Sequence, residues 1–154
     1  MPTSRTIRSA LGAAIKTIKV AGGYLQNIPD ANVFDGVTPY DHTQAKDASA
    51  YPRVFVYSDG ADYTDLPSSR VQKTELFTVL ANFAKAQSQV AVAPTLQTMV
   101  DNFIDDFEKM VDHNKQLGGS NFAKLRACAD DLGASTTEAV VMFELLIEYR
   151  RDLR

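Results

Sequence analysis

The chain has 154 residues, 45% of them hydrophobic and 23% charged, with a formal net charge of -3. That length suits one domain over residues 1–154 with a sizeable core, and the acidic balance argues against a general nucleic-acid surface, which is basic. No run approaches the ~18 apolar residues of a membrane span. The start MPTSRTIRSALG lacks the apolar centre of a secretory signal, and the single Cys128 can form no internal disulfide; cytosolic synthesis is the expectation.

Charge is unevenly spread. Residues 1–28 carry Arg5, Arg8, Lys16 and Lys19 and no acid, whereas residues 29–69 carry seven acids against Lys46 and Arg53. A basic first helix is therefore expected to precede an acidic, loop-rich region. That helix is predicted over residues 4–19. Ile7, Leu11, Ala14, Ile15 and Ile18 fall on one face at helical spacing, Ser4 is placed to cap it, and Gly22-Gly23 to end it. The four basic residues form a second stripe beside the apolar one. It reads as a solvated flank or as a contact with a neighbouring subunit.

A short extended piece, residues 32–35, ends at Gly36, and residues 38–50 show no hydrophobic period and read as a loop. Tyr51-Pro52 opens a strand over 53–57, where proline at the first position removes no needed donor. Ser58-Asp59-Gly60 is a turn signal, so an acidic loop is expected to run to Ser69. Residues 70–86 fit either period. Phe77, Val79, Ala81 and Phe83 share a strand face; Leu76, Val79, Leu80 and Phe83 share a helix face. The Val, Thr and Phe content favours strand.

Residues 95–114 predict a helix, with Pro94 and Thr95 at its start. Leu96, Met99, Val100, Phe103, Phe107, Met110 and Val111 form its apolar arc, and Asp101, Asp105, Glu108 and Asp112 lie opposite. Leu117-Gly118-Gly119 stops it. Residues 122–129 predict a strand with Cys128 buried in it, and 130–135 a turn. The last element is the clearest. From Thr137 to Tyr149, Ala139, Val141, Phe143, Leu145, Ile147 and Tyr149 share one parity, and Glu138, Glu144 and Glu148 share the other. This is a strand of roughly twice the usual length of about 5–6 residues. The order predicts an α+β fold: a mixed, mostly antiparallel sheet with two main helices on one face.

Little in the sequence carries chemistry. His42 sits in a polar loop and His113 at a helix end, where the dipole favours it. No nucleophile elbow, zinc motif, phosphate loop or dinucleotide fingerprint is present. Asp59-Gly60-Ala61-Asp62 resembles a fragment of a calcium loop, without the spacing of further ligands. No catalytic residue, cofactor or metal is expected. The helical acidic row is sharper, because like charges four apart disfavour a helix by about 0.2–0.5 kcal/mol per pair. It is a solvated face, a lining of a channel, or a contact with a basic neighbour.

Several local pieces stand in a recognisable order. An amphipathic helix leads to Gly22-Gly23-Tyr24. Val33-Phe34-Asp35-Gly36 and Tyr51-Pro52-Arg53-Val54-Phe55-Val56-Tyr57 follow, then a long strand, a helix, and a closing strand that ends in Glu148-Tyr149-Arg150. Over residues 5–150 this resembles the tail terminator, or tail completion, proteins of long-tailed bacteriophages. The resemblance implies a structural virion protein of the tail and neck, assembled in the host cytoplasm and without enzymatic activity. It implies a homo-oligomeric, hexameric ring that caps the head-proximal end of the tail tube, stops its growth and docks to the head–tail connector or stopper protein. DNA would pass the ring without specific binding, and no membrane partner is implied. In such a ring the Asp101, Asp105, Glu108, Asp112 row either lines the lumen, the preferred of the two uses, or meets the Arg5, Arg8, Lys16, Lys19 row of a neighbour. The alternatives are another neck or head-completion protein, a small metal-dependent hydrolase using surface carboxylates, and an adaptor that binds a peptide along a strand edge.

Overall fold

A computed structural model of the chain describes residues 1–38, 52–131 and 137–152. Helix α1 spans Ser4–Lys16 and α2 spans Leu96–His113; the strands are β1 Val33–Asp35, β2 Arg53–Leu66, β3 Arg70–Ala84, β4 Phe122–Asp131 and β5 Glu138–Asp152. They form one five-stranded sheet in the order β1-β2-β3-β5-β4. The β1–β2 pair is parallel; β2–β3, β3–β5 and β5–β4 are antiparallel. The fold is α+β, as the order of elements predicts.

The core follows from the period-2 pattern. Ala139, Val141, Phe143, Leu145, Ile147 and Tyr149 of β5 are all buried, as are Phe77, Val79, Ala81 and Phe83 of β3. The register sets Phe77 opposite Leu145 and Val79 opposite Phe143, so these two rows share one face. Both helices cover it. The apolar side of α1 packs over β1 and β2, and that of α2 over β3, β5 and β4, in one continuous core. Phe107 stacks on Phe143 with centroids 4.2 Å apart, and Phe103 meets Phe83 edge-on at 5.6 Å. Residues 70–84 are strand rather than helix, because the β2 and β5 ladders flank them on both sides.

Several boundaries differ from the sequence reading. The helix predicted over 4–19 ends at Lys16. Thr17 and Ile18 close with short three-residue bonds to Ala14 and Ile15, and the Thr17 hydroxyl donates to the Ala14 carbonyl at 2.6 Å. Thr3, not Ser4, is the cap. Its side chain accepts from the Thr6 N–H at 3.1 Å, and Thr6 Oγ1 accepts from the Thr3 N–H at 2.8 Å. Ser4 instead donates to Glu75 on β3. Gly22-Gly23 close a separate short turn after the helix.

The predicted acidic loop 58–69 is mostly strand. The register shifts between Ser58 and Gly60, and pairing then continues from Gly60↔Leu76 to Leu66↔Arg70. Asp59-Gly60 is therefore a bulge, with Gly60 at φ 129°, and the chain turns only at residues 67–69. Asp130 and Asp131, read as a turn, finish β4. The 39–50 part of the predicted loop, with His42, lies outside the described residues, as does the turn at 132–135.

Strand length outruns helix length. The 15 residues of β3 extend about 50 Å at the usual rise, whereas the 18 residues of α2 extend about 27 Å. The excess forms an arm, the β2–β3 hairpin flanked by the end of β5. Along it Arg70 pairs with Asp152 and Val71 with Arg151.

Candidate assembly surfaces

At the base of the arm the core face stops being apolar. Lys73 and Glu75 share the inward parity of Phe77, yet they are 6% and 1% exposed. Lys73 Nζ lies 2.9 Å from Glu75 Oε1, and the Tyr149 hydroxyl donates to the same oxygen at 2.7 Å. The other carboxylate oxygen accepts from Ser4 at 2.5 Å and Ser58 at 2.6 Å. One carboxylate thus ties α1, β2, β3 and β5 together. Lys73 Nζ also sits 5.5 Å from the ring centroids of both Tyr63 and Tyr149.

Protonation follows from these contacts. Burial works against the Glu75 charge, but four side-chain hydrogen bonds outweigh it and hold the carboxyl below its ordinary range. Burial also opposes the Lys73 charge, and the bonds and charge of Glu75 and Tyr149 more than reverse that, raising it. Burial and then the bond to Glu75 push Tyr149 up to about 12. The cluster is an ion pair with its hydrogen bonds filled.

A second buried carboxylate, Asp106, faces the other way. It is 2% exposed and accepts from the N–H groups of Leu25 at 2.8 Å and Gln26 at 3.1 Å. Burial raises its pKa, with the two N–H donors opposing. Lys109 donates to the Gly23 carbonyl at 2.7 Å and lies over the Tyr24 ring. One flank of α2 is thereby committed to the segment after α1.

The predicted acidic row lies on the outward side of α2, opposite its buried apolar arc. Asp101, Asp105, Glu108 and Asp112 are all exposed. Lys115 reaches only Asp112, at 3.6 Å. Lys109, the cation nearest the row in sequence, is turned away. On β4 the Cys128 thiol is pushed up by burial first and then by the charges of Asp130 and Glu108. Helix α2 itself packs on β4 as well as on β3 and β5. Cys128 itself is exposed rather than buried in its strand, because β4 is the sheet edge.

The predicted basic row divides. Arg8 pairs with Asp35 at 2.5 Å, with Ser9 donating to the same carboxylate at 3.0 Å. Lys19, beyond the helix, pairs with Asp30 at 3.0 Å and donates to the Ile28 carbonyl. Arg5 and Lys16 are exposed and form no ion pair among the described residues. The structure therefore keeps both rows on the surface but fixes half of the basic one internally. It brings neither row to the other within one chain.

Chemistry elsewhere is sparse. Asp59 accepts from the Thr78 hydroxyl at 2.5 Å, and among the described residues no three of His, Cys, Asp and Glu gather in a metal-holding group. His113 is exposed at the end of α2 beside an open surface cleft of about 660 Å³ between the two helix ends. No helix among the described residues is long and apolar enough to cross a membrane. No protein-family model matches the chain, and no curated protein matches it.

The Lys73–Glu75–Tyr149 cluster escaped sequence reasoning, as did Asp106. A signal existed for the first: Lys73 and Glu75 occupy the inward parity set by Phe77, Val79 and Ala81. No sequence signal marked Asp106, whose partners are backbone groups eighty residues away.

Proposed function

We propose that this protein is a structural ring subunit that terminates the head-proximal end of a long phage tail tube and presents the docking surface for the head connector. The observation that carries the reading is the arm. A sheet whose three middle strands run far past their helices commits chain to something other than its own core. In an assembly such an arm has a use, because it reaches the next layer while the helix-covered body meets lateral neighbours. The one-sided helix layer and the element order agree with the resemblance drawn from the sequence.

The test is direct. Purified protein mixed with isolated tail tubes is imaged by negative stain, and tails from particles lacking the protein are measured. Rings at one tube end, together with over-long tails that fail to join heads in the lacking particles, are expected. Tails of normal length that still join heads would sink the terminator role. Binding to filled heads without tails would transfer the protein to the head side of the neck.

A further inference from the structure

Four observations place opposite surfaces at opposite ends of this molecule. First, β1 and β4 are the two edges of the sheet; α1 covers the β1–β2 end and α2 the β5–β4 end. Second, Arg8, Ser9 and Gly12 of α1 face Asp35 and Val33 of β1. Arg5 and Lys16 fall on that same helix line, four residues before Ser9 and four after Gly12. They therefore project beside the β1 edge as exposed cations. Third, Asp106 and Lys109 hold one flank of α2 against residues 23–26 while α2 packs on β4, so the acidic row is carried at the β4 end of the sheet, exposed and turned away from that segment.

Fourth, the outer edge of β4 carries no further strand among the described residues. Among the described residues β4 pairs only with β5. Every residue from Arg126 to Asp131 is exposed, so neither face of this stretch is covered. The ladder fixes which groups point outward. The Lys85 N–H donates to Thr137, which assigns the odd residues of β5 to β3 and the even ones to β4. After the bulge at Arg126, Ala127 and Ala129 face Glu144 and Met142 and bond inward. Cys128 and Asp130 then direct their N–H and C=O groups away from the sheet. An edge of this kind is a template for another chain.

We propose that copies of this chain associate head to tail, with the open β4 edge and acidic α2 flank of one copy seated on the basic α1 flank beside β1 of the next. The inference rests on the ring reading for its setting and names the lateral contact of that ring. A two-fold β4–β4 contact is disfavoured, because it sets Asp130 and two acidic rows against their own copies. A head-to-tail contact sets them against Arg5 and Lys16. It is heterologous, and it closes into a ring when its rotation divides a full turn. This assigns the acidic row to a subunit contact rather than to the lumen.

The full-length chain is tested by sedimentation velocity, and on tube ends by microscopy. Self-association should weaken about tenfold or more as the Debye length falls from about 10 Å at 0.1 M salt to about 3 Å at 1 M. Reversal by Asp105→Lys with Glu108→Lys, or by Arg5→Glu with Lys16→Glu, should abolish it, and an equimolar mixture of the two variants should restore pairs. Cys128→Pro removes one outward donor and no ladder bond, so it should block association while the melt stays near wild type. If that variant fails to fold, the charge-swap pair decides.

The lone cysteine supplies an independent reading. Under mild oxidation the wild type should give no disulfide dimer, since its Cys128 faces a surface without cysteine. Adding Lys16→Cys should give a ladder of linked species. Ready wild-type dimers would show β4–β4 pairing and overturn the proposal. Association indifferent to salt and to the reversals, or no self-association either free or on tubes, would also overturn it. Salt-sensitive head-to-tail oligomers that ignore tail tubes would keep the contact and remove the terminator role. Rings on tubes that tolerate every reversal would do the opposite.

Discussion

Removing the charge of Glu75 should cost more than removing that of Lys73, and the structure says why. The carboxylate is 1% exposed and is held by the ammonium and three hydroxyls. Glu75→Gln keeps the shape and an acceptor for Tyr149, and the Ser hydroxyls can rotate to accept from the new amide. What is lost is the partner of a buried ammonium, a change that costs about 3–5 kcal/mol when the remaining charge stays buried. Lys73→Met leaves Glu75 with Tyr149, Ser4 and Ser58 still donating. The methionine also fills the volume of the lysine stem, so about 1–3 kcal/mol is expected. Urea unfolding of both variants and the double variant measures the difference, with slopes checked for constancy. The coupling in that cycle should be large and favourable.

The acid limb gives a second readout. Glu75 titrates lower in the folded chain than unfolded, so between the two values the unfolded state binds more protons and stability rises with pH. Its contribution is present above the unfolded carboxyl range, about 4.3, and is lost as pH falls through the folded value. Glu75→Gln should flatten that limb, and Lys73→Met should shorten it. Asp106, whose pKa is raised, has the opposite sign, losing stability as pH rises through its folded value. Lys73→Met costing as much as Glu75→Gln, or both costing under about 1 kcal/mol, would refute the carboxylate as the centre of the cluster.

Other consequences are simpler to test. Phe103 is fully buried among Phe83, Phe107 and Phe143, so Phe103→Ala should cost about 3–5 kcal/mol by urea unfolding; a loss under about 1 kcal/mol would misplace that face. Ser69 closes the arm at φ 57°, where a Cβ costs about 1–2 kcal/mol. Ser69→Gly should therefore raise the melting temperature by about 2–4 °C, and a fall would show the turn differs. Asp130→Asn removes one of the charges that hold the Cys128 thiol up, so the pH midpoint of iodoacetamide alkylation should move down. An unmoved midpoint would place Asp130 away from the thiol.

The long last strand and α2 were legible because one residue pattern decided each. The parity of Ala139 to Tyr149 has no helical counterpart, and the arc from Leu96 to Val111 has no strand counterpart. The 58–66 segment was misread because Ser58-Asp59-Gly60 carries the same chemistry for a turn and for a bulge. Which one forms depends on whether β3 offers a continuing ladder, and the Thr78 hydroxyl on Asp59 belongs to that strand. Lys73 and Glu75 were invisible to hydropathy for a related reason. Their burial is satisfied by Ser4 and Tyr149, more than seventy residues away in either direction. The acidic row is exposed, as its place opposite the apolar arc implies. That its helix packs on the edge strand β4 was not legible, since strand order is a property of the sheet.

The arm poses a question of cohesion that the body does not. Around Phe77 to Phe83 each inward side chain of β3 meets an aromatic or aliphatic partner from β5 and α2, and burial near 25 cal/mol per Å² holds those strands. Beyond Glu75 the inward rows are Lys73 and Val71 on β3, Tyr63 and Asp65 on β2, and Tyr149 and Arg151 on β5. Lys73, Val71 and Tyr149 are buried, whereas Asp65 and Arg151 are exposed and Tyr63 is 60% exposed. Ladder bonds facing water contribute little net stability, so the arm should open locally without unfolding the body. Amide hydrogen exchange checks this along a single strand. Val79 and Ala81 should exchange only through global unfolding, and Gln72 and Lys73 through a cheaper opening. Glu75→Gln should widen that gap, since its carboxylate ties the base of the arm to α1. Uniform protection from Arg70 to Ala84 would show that the arm and the body form one cooperative unit, held by more than the described contacts supply.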